Sequence, residues 1–217
     1  MCRVSAGCVA RGERTVAYAA ARSYARQMPR VDRREAPGAL HHVTSRGALR
    51  APIYLDDRDR ERFLAIFVEI VRDTKWNCWA YCLMDNHFHL LLDTPEPNLS
   101  EGMHRLKHRY ARAFNKRHSR TGHLFEGRFT SIPIERDAHL LEVCRYVVLN
   151  PVRAGICATA EDWPWSSYRA TAGLSKPPRY LAGSEAAALL GGPRRYRDFV
   201  AEGSPAASLG GLLLLAA

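Results

Sequence analysis

The 217-residue chain carries 32 Lys and Arg against 22 Asp and Glu, a formal charge of +10, and that surplus suits a polyanionic partner, nucleic acid foremost, while saying nothing of fold. At 47% hydrophobic and 25% charged residues the composition is that of an ordinary globular domain rather than a disordered chain, and no stretch reaches the roughly 20 apolar residues needed to span a bilayer. Cys2, Cys8, Cys78, Cys82, Cys144 and Cys157, without an evident secretory leader, read as reduced and mostly buried thiols of a cytoplasmic protein with no membrane association.

Residues 1–27 are rich in Ala and Arg and have no period; Arg3, Arg11, Arg14, Arg22 and Arg26 stand against Glu13 alone. The segment to about residue 35 is expected to be a disordered or mis-started extension, with Met28 as an alternative start and an Arg-rich transit peptide as the competing reading. From Leu40 the chain is regular. Leu40–Arg46 reads as a strand ended by Gly47. Asp57–Lys75 reads as a helix, with Phe63, Phe67, Ile70 and Val71 at helical spacing. Trp76–Met84 and His87–Asp93 read as strands joined by the short Asp85-Asn86 turn. Leu99–His118 is a second helix, with Leu99, Met103, Leu106 and Tyr110 on one stripe. Arg128–Glu135 reads as a fourth strand, and Asp137–Asn150 as a third helix stopped by Pro151. The order β-α-β-β-α-β-α predicts an α+β fold: a ferredoxin-like βαββαβ sheet with one added helix. Residues 36–175 form the expected domain. Residues 176–217 read as a short tail whose only helix lies near Ser184–Leu190.

His87 and His89 are two apart in a strand, so both point to one face, with Cα atoms roughly 7 Å apart at ~3.3 Å per residue. Two imidazoles at that spacing can converge on one metal ion; a pair of hydrogen-bonded core histidines is the other reading. A zinc site of Cys78, Cys82, His87 and His89 is disfavoured. Residues four apart in a strand are roughly 13 Å apart, too far to share a tetrahedral ion with sulfur distances near ~2.3 Å.

On a wheel at ~100° per residue, Leu140, Cys144, Val147 and Val148 share the face expected to pack on the sheet. Tyr146 and Asn150 lie one turn apart on a different stripe with His139 and Glu142, and Tyr146 is expected to project away from the packing face. Spacing alone allows Tyr146 to be an ordinary boundary residue and Asn150 a helix terminator before proline. From Arg105 to Arg120 the chain has no acid, and Arg105, Arg109, Arg112 and Lys116 form a narrow stripe. Like charges at i and i+4 repel, so the stripe is expected to serve a phosphate backbone, with Arg46 and Arg128 extending the surface.

Five ordered blocks resemble a known family. Pro37–Gly47 (PGALHHVTSRG) resembles its opening strand, Asp85–Leu92 (DNHFHLLL) its metal-binding strand, and Gly122–Phe129 (GHLFEGRF) the approach to its fourth strand. Arg145–Gly155 (RYVVLNPVRAG) resembles its nucleophile helix, and Trp163–Tyr168 (WPWSSY) the segment that follows. The family is the single-tyrosine HUH transposases, and within it the REP-associated tyrosine transposases. The chain departs from the pattern at Asp85, where proline is usual, and in the loop Ala48–Pro52. The resemblance implies that His87 and His89 bind a divalent metal, Mg²⁺ or Mn²⁺, that Asn150 completes the site, and that Tyr146 is the nucleophile. It further implies a single-stranded DNA partner bearing a hairpin, cleaved and rejoined through a 5′-phosphotyrosine by a monomer or homodimer. A phenol, with pKa near ~10, needs help to attack; Glu142 and His139 are candidates from wheel position. The alternative is a non-cleaving hairpin-binding module of the same fold; a replication-type nickase is disfavoured by the short length.

Overall fold

The computed structural model describes residues 35–203; the N-terminal extension, save residue 35, and the last 14 positions of the C-terminal tail lie outside the described residues. Among the described residues no helix is long and apolar enough to cross a membrane. Four strands form one sheet: β1 (Ala39–Arg46), β2 (Asn77–Leu83), β3 (His87–Thr94) and β4 (Thr130–Ile134), in the order β2-β3-β1-β4 with every pairing antiparallel. Helix α1 (Asp57–Thr74) connects β1 to β2, α2 (Leu99–Arg117) connects β3 to β4, and α3 (Arg136–Arg153) follows β4. This is the expected ferredoxin-like α+β arrangement, with element ends within a few residues of their expected positions.

Strand alternation divides the sheet into two faces. Val43, Leu83, Phe88, Leu90 and Leu92 point to one side, where Phe63, Phe67 and Ile70 of α1 and Met103, Leu106 and Tyr110 of α2 cover them. Leu40, Ala80, Cys82 and Leu91 point to the other, against Leu140, Val143, Cys144 and Val147 of α3. A bulge at Trp79 interrupts β2: Cys78 pairs with Leu92 but Ala80 pairs with Leu91. The extra residue reverses the side-chain phase, so Cys78 joins the α1–α2 core and Cys82 the α3 core. The two thiols face opposite sides of the sheet, a stronger bar to a shared zinc than their spacing.

The C-terminal region is more structured than its pattern announces. Besides α5 (Gly183–Leu189), which matches the expected short helix, there are α4 (Tyr168–Thr171) and a ten-residue α6 (Pro193–Glu202). Val148 on the outer side of α3 meets Tyr168, Ala187, Tyr196 and Val200 from these helices in a third cluster, so α3 is covered on both sides. The free edge of β2 is also covered. Leu83 N–H donates to Trp165 O at 2.8 Å, Ser167 N–H to Tyr81 O at 2.9 Å and Ala182 N–H to Cys78 O at 2.7 Å, which satisfies backbone groups that an open edge would offer to another chain.

Candidate active site

The face covered by α3 carries the histidines. His87 and His89 of β3 lie opposite Arg46 and Thr44 of β1, and their rings meet edge to face with centroids 5.0 Å apart. Phe88 between them is fully buried on the opposite face. The His87 Nδ1 is 2.7 Å from Asn86 Oδ1, while Asn86 Nδ2 donates to Arg50 O at 3.0 Å. An amide oxygen only accepts, so His87 carries its proton on Nδ1 and keeps the Nε2 lone pair.

His89 has a different partner, absent from the sequence reading. His42 of β1 is 1% exposed and its Nε2 lies 3.0 Å from His89 Nδ1, with the two rings nearly coplanar and their centroids 5.2 Å apart. The remaining nitrogens, His89 Nε2 and His42 Nδ1, are buried without a hydrogen-bond partner among the described residues. Burial lowers the pKa of all three imidazoles. His42 falls to about 4. His87 also falls to about 4, with the Arg46 guanidinium adding to the effect of burial. His89 falls well below the ordinary value, with His42, His87 and Arg46 each reinforcing burial. At neutral pH the three imidazoles are uncharged, and each ring keeps one nitrogen lone pair.

Helix α3 brings Tyr146 to the same spot. Its ring packs edge-on against His42 at 5.8 Å and His89 at 5.9 Å. The expectation that it projects away from the packing face is therefore corrected: Tyr146 sits at the margin of that face, half-buried and in contact with the second core cluster. Burial raises the phenol pKa, and Arg153 opposes the rise; the Arg153 guanidinium carbon is 4.9 Å from the Tyr146 ring centre. Arg153 escaped the sequence reading because the helix was expected to stop at Pro151, whereas it runs to Arg153, two turns beyond Tyr146 on the same stripe. His42 carried a signal that went unused: in a sheet with β1 beside β3, one of the adjacent His41 and His42 must face His89.

Asn150 explains the continuing helix. Pro151 lacks the N–H that would bond to Val147 O, and Asn150 Nδ2 turns back to Tyr146 O at 2.9 Å and Val147 O at 3.4 Å. Its amide nitrogen is engaged in the helix, leaving Oδ1 as the atom able to meet a metal. Glu142 is held by Arg145 at 2.6 Å and His139 is exposed, so neither has a contact that marks it as a base.

The cationic residues divide between the two faces. Arg46 lies beside His87, and the chain entering β4 runs along it, with Glu126 N–H donating to Arg46 O at 3.0 Å; Arg128 is exposed in that segment. Arg105, Arg109, Arg112 and Lys116 are on α2, across the sheet from Tyr146. Arg105 is paired with Asp73 at 2.7 Å and Arg109 with Glu69, so acids on α1 offset much of the like-charge cost expected of the stripe. Arg112 and Lys116, together with Arg62, Arg109 and Arg117, line a groove of about 550 Å³ between α1 and α2.

The family model for IS200-like transposases matches residues 38–150, a span that holds His42, His87, His89, Tyr146 and Asn150. A curated Haemophilus influenzae protein described as a REP-associated tyrosine transposase is 28% identical over 142 residues, covering 60% of this chain and 80% of the relative. The solved structure of a REP-associated tyrosine transposase bound to a REP hairpin matches with a TM-score of 0.59 at 18% identity, over 70% of this chain and 89% of that one; at that identity the likeness speaks for the fold.

Proposed function

The chain belongs to the IS200-like transposase family, and on that premise we propose that it binds single-stranded DNA bearing a hairpin and cuts and rejoins it through Tyr146. The observation that carries the reading is the contact of the Tyr146 ring with the His42–His89 pair beside a buried, unpartnered His89 Nε2. A buried nitrogen left without a partner is costly unless something occupies it, and a neutral imidazole lone pair suits a cation. His87 Nε2, His89 Nε2 and Asn150 Oδ1 are the atoms that would hold a divalent ion. An ion bound there supplies polarisation and orientation of a phosphate oxygen. Mg²⁺ and Mn²⁺ favour oxygen donors, so two imidazoles and one amide make a weak site.

In this reading the Tyr146 oxygen bonds to phosphorus, the bond to the 3′-oxygen breaks, the phenol proton passes to water, and the released 3′-oxygen takes a proton from water. The DNA is left joined to the protein by a 5′-phosphotyrosine, whose retained ester energy allows rejoining to another 3′ end. Arg153, stacked at the ring, favours the phenolate. Arg46, across from His87, offers a guanidinium fork to a phosphate. The α1–α2 groove and Arg128 would hold the duplex or flanking strand through phosphate contacts.

The test is incubation of the full chain with a hairpin oligonucleotide and Mn²⁺, read by denaturing gel and peptide mass spectrometry. An adduct at Tyr146, lost in Tyr146→Phe and in the His87→Ala, His89→Ala double variant, is the expected result. An adduct at Tyr110 or Tyr168, or undiminished cleavage by Tyr146→Phe, overturns it. Binding without any adduct would favour a non-cleaving hairpin-binding module.

A further inference from the structure

The two metal-facing histidines are held differently. Asn86 fixes the proton of His87 on Nδ1, because its oxygen can only accept and its nitrogen is already donating to Arg50 O. His89 is hydrogen-bonded to another imidazole, His42, at 3.0 Å, and an imidazole can donate or accept there. In one arrangement His89 donates from Nδ1, keeps a lone pair on Nε2, and His42 carries its own proton on Nδ1. In the other, His42 donates from Nε2 and His89 carries a proton on Nε2, where a metal would have to sit. Each arrangement buries one N–H and one lone pair without partners, since His42 Nδ1 and His89 Nε2 both lack one among the described residues. The protein by itself gives neither a clear advantage.

We propose that His42 is a positioning residue whose Nε2 accepts the His89 Nδ1 proton, so that binding of a divalent cation moves the pair into the single arrangement with both protons on Nδ1. This inference rests on the reading of His87 and His89 as a metal pair. The edge-to-edge geometry supports it: the planes of His42 and His89 differ by only 3°, so the N–H of one ring points along the in-plane lone pair of the other across 3.0 Å, and His42 is 1% exposed. A partner on the second ring nitrogen orients a metal-binding imidazole and raises its basicity, and losing such a partner typically costs ~10–100-fold in metal affinity.

Two measurements on the full chain test the idea. In protein labelled with ¹⁵N-histidine and saturated with Mg²⁺, long-range proton–nitrogen correlation spectra read the tautomers directly; His42 and His89 are both expected as Nδ1–H. A His42 proton on Nε2 in the loaded protein overturns the proposal. Mn²⁺ titration followed by electron paramagnetic resonance compares His42→Phe, which fills the space without an acceptor, with His42→Gln, which restores an oxygen acceptor. His42→Phe is expected to weaken Mn²⁺ binding ~10–100-fold, and His42→Gln to recover most of the loss. Equal affinity in His42→Phe and wild type overturns the proposal, as does His42→Gln behaving like His42→Phe. Should His42→Phe fail to fold, the tautomer spectrum of the wild type still decides. A wild type whose Mn²⁺ affinity is unchanged by His87→Ala, His89→Ala overturns the metal reading itself, a result distinct from failure at His42.

Discussion

Arg60 of α1 is the strut behind the Asp85-Asn86 turn, and its removal has a size that can be worked from its surroundings. Its side chain is 9% exposed, 2.6 Å from Asp85 and 3.6 Å from Asp57. Its guanidinium carbon lies 5.4 Å, 5.5 Å and 5.7 Å from the ring centres of Tyr54, Trp163 and Trp165. The partners of the ion pairs are largely in water, Asp85 at 61% and Asp57 at 73% side-chain exposure, so those pairs contribute only ~0–1 kcal/mol. The three ring contacts, made by a nearly desolvated cation, contribute about 0.5–1 kcal/mol each or more. Arg60→Ala is therefore expected to cost about 2–4 kcal/mol, mostly from the aromatic cage, lowering Tm by roughly 4–16 °C for a chain of this size. Asp85→Asn should cost under ~1 kcal/mol, and Arg60→Lys should restore the charge but little of the stacking. Chemical denaturation of the three variants decides. The account is refuted if Asp85→Asn costs as much as Arg60→Ala, which would make the ion pair, rather than the rings, the source of stability.

On α2, Arg112→Ala with Lys116→Ala should weaken single-stranded DNA binding and reduce the slope of log affinity against log salt by ~0.7 per lost phosphate contact; fluorescence anisotropy across a salt series reads it, and an unchanged slope would leave the groove merely solvated. Asp59, 1% exposed, titrates below the usual carboxylate range: burial raises its pKa, but hydrogen bonds from Leu55 N–H, His118 and Arg117 outweigh that. A depressed folded-state pKa gives stability that is present above the unfolded carboxylate value near ~3.9 and is lost as pH falls through the folded value. Asp59→Asn should accordingly cost about 3 kcal/mol near pH 7, with the gap to wild type closing below about pH 4; a gap independent of pH would show that shape rather than charge matters there.

The first seven elements were legible because each carries its own period and its own stop. Phe63, Phe67, Ile70 and Val71 mark one face of α1, and the uninterrupted Leu90-Leu91-Leu92 marks a central strand. The alternation that sends His87 and His89 to one face and Phe88 to the other needs no tertiary information. What stayed hidden depends on contacts between distant segments. The bulge at Trp79 is decided by pairing with β3. The seating of Trp165, Ser167 and Ala182 along β2 is decided by an edge that the sequence does not display. Counter-ions for Arg105 and Arg109 come from α1, 32 and 40 positions away, so a stripe that looks unbalanced on one helix is partly balanced on two. His42 and Arg153 joined the site through a neighbouring strand and through a helix that outlasts its proline.

That proline ties two positions together. Because Pro151 offers no N–H to Val147 O, the side-chain amide of Asn150 supplies one, and the same residue's oxygen is left to look outward. Substitution at 151 thereby alters the demand on 150: with Ala at 151 the backbone would serve Val147 itself, and the Asn150 amide would be held by Tyr146 O alone. Aspartate at 150 would set a negative oxygen against two carbonyls at the negative end of the helix dipole. The two positions are expected to be epistatic, with the harm of a change at 150 depending on whether a ring or an open chain follows it.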